Sequence, residues 1–122
     1  MATALTITLW IAQGILALMF LMAGTPKAKD PAAFKQKSGM GLPPGLVRSI
    51  GTAEILGAVG VVFPTLLGVT AWLTPIAALG LVTIMALAIG FHAQRKEWNV
   101  IPMNAVLLGL SIFVVVGRWS LF

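Results

Sequence analysis

The sequence has 122 residues, of which 59% are apolar and only 9% are charged. A soluble domain of this size cannot bury that much apolar surface, because a small domain has a large surface relative to its interior. The composition excludes an ordinary soluble globular protein and predicts a single domain, residues 1–122, embedded in membrane lipid. The net charge of +5 comes from basic residues in short breaks between apolar runs, a pattern of membrane topology that argues against a nucleic-acid partner.

The sequence contains no cysteine, which excludes disulfides, thiolate catalysis and cysteine-bound iron–sulfur clusters within the chain. One histidine and three acidic residues are too few for a multi-ligand zinc or di-iron site in one copy, so we predict no metal site. No nucleotide-binding or hydrolase motif occurs. Electron transfer would therefore require a bound cofactor or a partner protein.

Four apolar runs are long enough to cross the roughly 30 Å hydrocarbon core of a bilayer as helices. After the first run, residues 25–44 carry four lysines and four prolines, which predicts a basic interfacial loop on the headgroup layer. Pro64 ends the second run, and Asn99 with Pro102 marks the start of the fourth. The pattern predicts an all-α integral membrane four-helix bundle with helices at about residues 3–24, 45–63, 67–92 and 100–119.

The basic residues are distributed unequally between the two sides of such a bundle. On one side, beside the loops after the first and third helices, lie Lys27, Lys29, Lys35, Lys37, Arg48, Arg95 and Lys96. Arg118 alone lies on the other side. The positive-inside rule predicts that both loops are cytoplasmic and that both termini are outside the cytoplasm.

Small residues recur at helical spacing and predict close helix packing. Ala53, Gly57 and Gly60 follow one another on the second helix, and Ala86 with Gly90 repeats the spacing on the third. In lipid, helices associate through such residues because apolar side chains gain nothing by leaving the bilayer. These faces predict a compact bundle, and they also predict a homo-oligomer.

Glu54 falls near the centre of the second helix and is the most informative residue. A carboxylate at that depth costs several kcal/mol unless it is paired, protonated or in contact with water. It could carry a proton, act as a general base, or bind the polar group of a lipophilic ligand, or it could be a structural hydrogen bond within the bundle. Gln13 and Ser111 lie at similar depth on the first and fourth helices, so both could satisfy Glu54 from neighbouring helices.

Lys27 and His92 fall at the cytoplasmic ends of their helices and predict a polar mouth below Glu54, with the amide of Asn104 contributing. Lys27 could instead be a snorkelling anchor, and His92 an ordinary interfacial residue. Arg118 lies at the outer end of the fourth helix, where it could bind headgroups or fold inward, although Glu54 is expected to be beyond its reach.

These features together resemble the DoxX-like family of small bacterial four-span membrane proteins. The resemblance covers nearly the whole chain and rests on the following motifs: Gly24-x-x-Lys27, Gly51-x-x-Glu54-x-x-Gly57-x-x-Gly60, the hairpin Pro64, the run WLTPIAALGLVTIMALAIGFHAQRKEWN, Asn104 and Arg118. It implies a compact four-helix bundle in the bacterial cytoplasmic (inner) membrane. The family's namesake is a membrane subunit of a thiosulfate:quinone oxidoreductase, and other relatives are associated with redox or oxidative-stress complexes.

The resemblance leads to a first hypothesis of a redox-associated membrane subunit that binds a quinone or similar lipophile, with electrons from a redox partner protein. Glu54 and His92 are then the candidate catalytic residues. The candidate ligand-binding residues are Gln13, Lys27, Asn104 and Arg118. The alternatives are a structural or assembly protein without catalysis, a small acid–base membrane enzyme acting on a lipophilic molecule, and a transporter that uses Glu54.

Overall fold

The computed structural model describes residues 2–38, 41–68 and 72–120. All regular secondary structure in these residues is helical, which confirms the predicted all-α class. The helices are α1 (Ala2–Lys29), α2 (Pro31–Ser38), α3 (Pro44–Gly60), α4 (Phe63–Leu67), α5 (Leu73–Gln94) and α6 (Ile101–Ser120).

Within the described ranges, four segments are long and apolar enough to span a membrane. They are Thr3–Lys29, Pro44–Leu67, Leu73–Gln94 and Ile101–Trp119. Between 22% and 28% of each apolar stretch is buried inside the protein, so most of its residues are at least partly exposed at the surface. Because so large an apolar surface is stable only against lipid, the protein is a small multi-pass integral membrane protein.

The first helix is longer than the sequence pattern indicated. It continues past residue 24 and through Pro26 to Lys29, and the amide of Asp30 still bonds to the carbonyl oxygen of Pro26 at 3.0 Å. Proline removes only one backbone donor, and the hydroxyl of Thr25 bonds to the nearby carbonyl of Leu21 at 2.6 Å. The loss of this one backbone hydrogen bond does not end the helix at the proline.

The predicted interfacial loop, residues 25–44, also contains the short helix α2. Asp30 is its N-cap, because the carboxylate oxygen Oδ1 accepts a hydrogen bond from the amide of Ala33 at 3.1 Å. Pro31 occupies the first helical position, where its missing N–H costs nothing. The Asp–Pro pair is thus a helix-start signal within the polar segment.

The hairpin after α3 differs in detail from the predicted boundaries of 45–63 and 67–92. α3 ends at Gly60, and Pro64 lies in the first turn of α4 instead of terminating the span. Gly68 closes α4 in the left-handed conformation, with φ of 68°, which glycine adopts without steric cost. Residues 69–71, part of the predicted third helix, lie outside the described residues, and α5 begins at Leu73.

The spanning helices form a ring in which α1 and α5 each pack against both α3 and α6. Large apolar side chains fill its interior, among them Leu16, Phe20, Leu81 and Val114. The predicted packing glycines of the second helix do mediate close contact between α3 and α5: a Cβ added at Gly60 would lie 2.7 Å from the Cβ of Ala77. Close packing between these helices therefore depends on the absence of a side chain. The same prediction for Gly90 on the third helix is wrong, because a Cβ added there would have nothing within 4 Å.

Candidate functional site

The backbones of α1 and α3 approach each other closely at Gly24 and Gly51. A Cβ added to either glycine would lie 2.6 Å from the carbonyl oxygen of the other, a distance that real side chains do not tolerate. Residues three positions apart share one face of a helix, so this crossing also aligns Lys27 on α1 with Glu54 on α3. The two glycines thereby bring the two charged residues together.

Lys27 and Glu54 form an ion pair inside the bundle. The Lys27 ammonium nitrogen Nζ lies 2.7 Å from the Glu54 carboxylate oxygen Oε1, and the two side chains are 15% and 2% exposed. Nζ also lies 5.5 Å from the centre of the Phe34 ring on α2, within range of a cation–π contact. The charge of Glu54, which would be costly alone at this depth, is therefore compensated.

A cavity of about 280 Å³ borders this ion pair. Its polar lining comes from Lys27, Glu54 and His92. The rest of the lining is apolar and consists of Leu42, Ile50, Ile84, Met85, Leu87, Ala88 and Phe91. Leu87 is 70% exposed on the outer surface of the bundle, so one edge of the cavity faces the lipid. Cavities with apolar walls and a few converging polar groups are typical binding sites for small lipophilic molecules.

His92 is held in place at the end of α5. Its ring nitrogen Nδ1 lies 2.9 Å from the Glu97 carboxylate oxygen Oε1, and Arg95 Nε lies 3.5 Å from the same oxygen. With Nδ1 bonded to Glu97, Nε2 is the ring nitrogen that remains for another partner. Across residues 2–38, 41–68 and 72–120, no group of three His, Asp or Glu side chains is arranged to bind a metal ion.

A second polar cluster lies in the other half of the bundle, around Arg118. The Arg118 nitrogen Nε donates a hydrogen bond to Gln13 Oε1 at 2.7 Å, and Gln13 Nε2 donates to the carbonyl oxygen of Val61 at 2.5 Å. The guanidinium carbon lies 5.1 Å from the centre of the Trp10 ring. Gln13 is fully buried and Arg118 is 9% exposed. The cluster connects α6 through α1 to the end of α3.

Two further polar residues of α6 lie apart from both clusters. The hydroxyl of Ser111 donates to the carbonyl of Leu107 one turn earlier, at 2.8 Å. The amide nitrogen of Asn104 is buried and has no hydrogen-bond partner among the described residues. Neither residue lines the cavity at Glu54.

The family model for the DoxX-like family matches residues 11–114, which is most of the chain. The chain belongs to the DoxX-like family. Comparisons with curated proteins and with solved structures give no match. The match confirms the resemblance that the sequence motifs indicated, and it includes Gln13, Lys27, Glu54, His92 and Asn104 but not Arg118.

The structure of this DoxX-like protein divides the predicted site residues into separate groups. Lys27, Glu54 and His92 line one cavity, whereas Gln13 and Arg118 bond to each other elsewhere. The expectation that Gln13 and Ser111 could satisfy Glu54 is wrong. Gln13 faces Arg118 and Val61, and the Ser111 hydroxyl bonds within its own helix. Similar depth in the membrane does not bring two side chains together when their helices present different faces.

Several residues of the DoxX-like protein that shape its two polar clusters were not indicated by its sequence. Trp10 covers the Arg118 guanidinium, Glu97 holds His92, and Phe34 lies against Lys27. Trp10 and Gln13 are three residues apart on α1, which predicts a shared face but no partner. Pairing with Arg118 joins residues 105 positions apart, which no local sequence signal specifies.

Proposed function

We propose that this protein binds a quinone, or another lipophilic molecule with a polar head, in the cavity beside Glu54 and acts as the membrane subunit of a redox complex. The observation that carries the proposal is an apolar cavity of about 280 Å³ with a buried ion pair and a histidine in its wall. The exposed position of Leu87 at its edge favours a ligand that arrives from the hydrocarbon of the bilayer.

The polar groups of the cavity suit the carbonyl oxygens of a quinone head. The Lys27 ammonium on α1 can donate a hydrogen bond to a carbonyl oxygen. On α5, His92 donates Nδ1–H to Glu97, so its Nε2 accepts a hydrogen bond from a quinol hydroxyl when the ring is neutral and donates one only as imidazolium. Glu54 accepts from Lys27 and can hold and release a proton at its carboxylate. When bound, a quinone supplies two-electron redox chemistry, and the residues of the chain orient it and move its protons.

A redox partner protein is part of the proposal. The chain has no cysteine to bind an iron–sulfur cluster, so electrons for the cavity would come from a second protein. Membership of the DoxX-like family supports this role, since the family resemblance implies association with redox complexes. The basic surface around α2 and the α5–α6 connection is the side on which we place that partner.

The experiment that tests the proposal is purification in lipid nanodiscs followed by mass spectrometry of extracted small molecules. We expect a quinone or another lipophile with the wild type and none with Glu54→Gln. Asp30→Asn is the matched control, because it makes the same carboxylate-to-amide change outside the cavity and asparagine caps α2 as well as aspartate does. Equal amounts of ligand in wild type and Glu54→Gln, with equal unfolding temperatures, would refute the proposal.

A structural role is the second candidate. The Lys27–Glu54 ion pair joins α1 to α3, and the Glu54 side chain is only 2% exposed, which favours an assembly protein in which the pair holds the bundle together. In that case neither sample would contain a ligand, and Glu54→Gln would unfold at a lower temperature than Asp30→Asn. Stability measured on the same nanodiscs therefore separates the two functions.

We also propose a location and an assembly state. The protein is placed in the bacterial cytoplasmic membrane with both termini outside, because seven basic residues flank one side of the bundle and Arg118 alone the other. An open groove between α3 and α5, lined in part by Ala53, Gly57, Ala77 and Gly80, supports a homo-oligomer. Small residues on a lipid-facing surface let a second helix approach closely.

A further inference from the structure

We infer that Arg118 binds the phosphate group of a membrane phospholipid, on the side of the bilayer that holds both chain termini. This inference is independent of the proposed quinone cavity, which lies around Glu54 on the other side of the bundle. Arg118 lies in the last turn of α6, and the residue is only 9% exposed. A guanidinium buried to that extent needs an anion close to it.

No acidic side chain of this chain supplies that anion. The sequence has three acidic residues, and Glu54 is already paired with Lys27. Asp30 precedes α2 and Glu97 follows α5, so both lie in segments that connect the spans at the opposite end of the bundle. The positive charge of Arg118 is therefore not neutralised by any side chain of its own molecule.

The guanidinium is positioned and has donor capacity left. Its Nε bonds to Gln13 Oε1, and Gln13 is itself anchored to the carbonyl oxygen of Val61. The guanidinium carbon lies over the Trp10 ring, 5.1 Å from its centre. The terminal nitrogen Nη2 is buried and, within the described ranges, has no hydrogen-bond partner. Such a fixed guanidinium with an unused terminal N–H is well suited to one oxygen of a phosphate.

The chemistry and the location both favour phosphate over a neutral carbonyl. A carbonyl oxygen would accept a hydrogen bond from Nη2 but would leave the positive charge of Arg118 uncompensated. A phosphate accepts the hydrogen bond and also compensates the charge. Phospholipid phosphates surround the ends of spanning helices, and the exposed Trp119 beside Arg118 is typical of a helix end at the headgroup layer.

The test is lipid binding to delipidated protein in uncharged maltoside detergent, with dioleoyl phosphatidylglycerol as the probe. Native mass spectrometry measures bound lipid, and the unfolding temperature reports the stabilisation that binding provides. We expect wild-type protein to bind one lipid per chain at this site and Arg118→Gln to bind it about tenfold or more weakly. Arg48→Gln is the matched control, since it removes an exposed arginine of α3, and it should bind as the wild type does.

Three results would overturn the inference. The first is equal lipid affinity in wild type and Arg118→Gln. The second is a rise in unfolding temperature with inorganic phosphate equal to that with the lipid, which would make a free anion the ligand. If Arg118→Gln does not fold, Arg118→Lys decides, because it keeps the charge and loses the planar fork. Several-fold weaker lipid binding by Arg118→Lys supports the site. The third result against the inference is an Arg118→Lys variant that binds the lipid as tightly as the wild type does.

Discussion

The crossing of α1 and α3 makes a sharp prediction about Gly24. An alanine Cβ at this position would lie 2.6 Å from the carbonyl oxygen of Gly51 and 3.0 Å from the Cβ of Glu54. Ordinary van der Waals contact begins at 3.4 Å, so the two backbones would have to separate by about 0.8 Å. Both obstructing groups are fixed to α3 and cannot turn away as a long side chain can.

The expected cost follows from this displacement. Overpacking of a well-packed interior costs about 1–3 kcal/mol, and separation of the helices also lengthens the 2.7 Å contact between Lys27 and Glu54. Gly14→Ala is the matched control on the same helix, because an added Cβ there has nothing within 4 Å. Alanine has a higher helix propensity than glycine, so Gly14→Ala should have the same stability as the wild type or be more stable by up to about 1 kcal/mol.

The assay is reversible unfolding in mixed detergent micelles at increasing fractions of dodecyl sulfate, followed by far-ultraviolet circular dichroism. Gly24→Ala should unfold at a lower fraction than the wild type, and Gly14→Ala at the same or a higher one. If Gly24→Ala proved as stable as Gly14→Ala, the close approach of α1 and α3 would not be the contact that holds this half of the bundle.

Two further predictions concern the ion pair and the topology. Lys27→Met should destabilise the fold by about 3–5 kcal/mol because it leaves a buried carboxylate alone, whereas the double variant Lys27→Met with Glu54→Leu should recover most of that stability in the same unfolding assay. If the double variant regained less than a third of the lost free energy of unfolding, Lys27 would not be the main partner of Glu54. Lys35→Cys should react with a membrane-impermeant thiol reagent only after cells are opened, and Thr3→Cys in intact cells. Labelling of Lys35→Cys in intact cells would reverse the proposed orientation.

The sequence determined the class of the protein and the number of its spans. Long apolar runs separated by basic, proline-containing breaks have few physical solutions, because lipid requires every backbone polar group to be bonded within its own helix. The sequence also identified Glu54, since a carboxylate in the middle of an apolar run is conspicuous by composition alone. The helix α2 could also have been predicted from the sequence, because Asp30 followed by Pro31 is a recognised helix-start signal.

The partners of the buried polar residues were decided only by the tertiary structure. Depth along each helix can be read from the chain, and it led to the expectation that Gln13 and Ser111 could satisfy Glu54. The rotation of each helix about its axis is set instead by where small residues allow neighbouring backbones to meet, as at Gly24 and Gly51. That contact turns Lys27 toward Glu54 and leaves Gln13 to Arg118. Helix rotation depends on contacts between distant parts of the chain, and no local pattern encodes it.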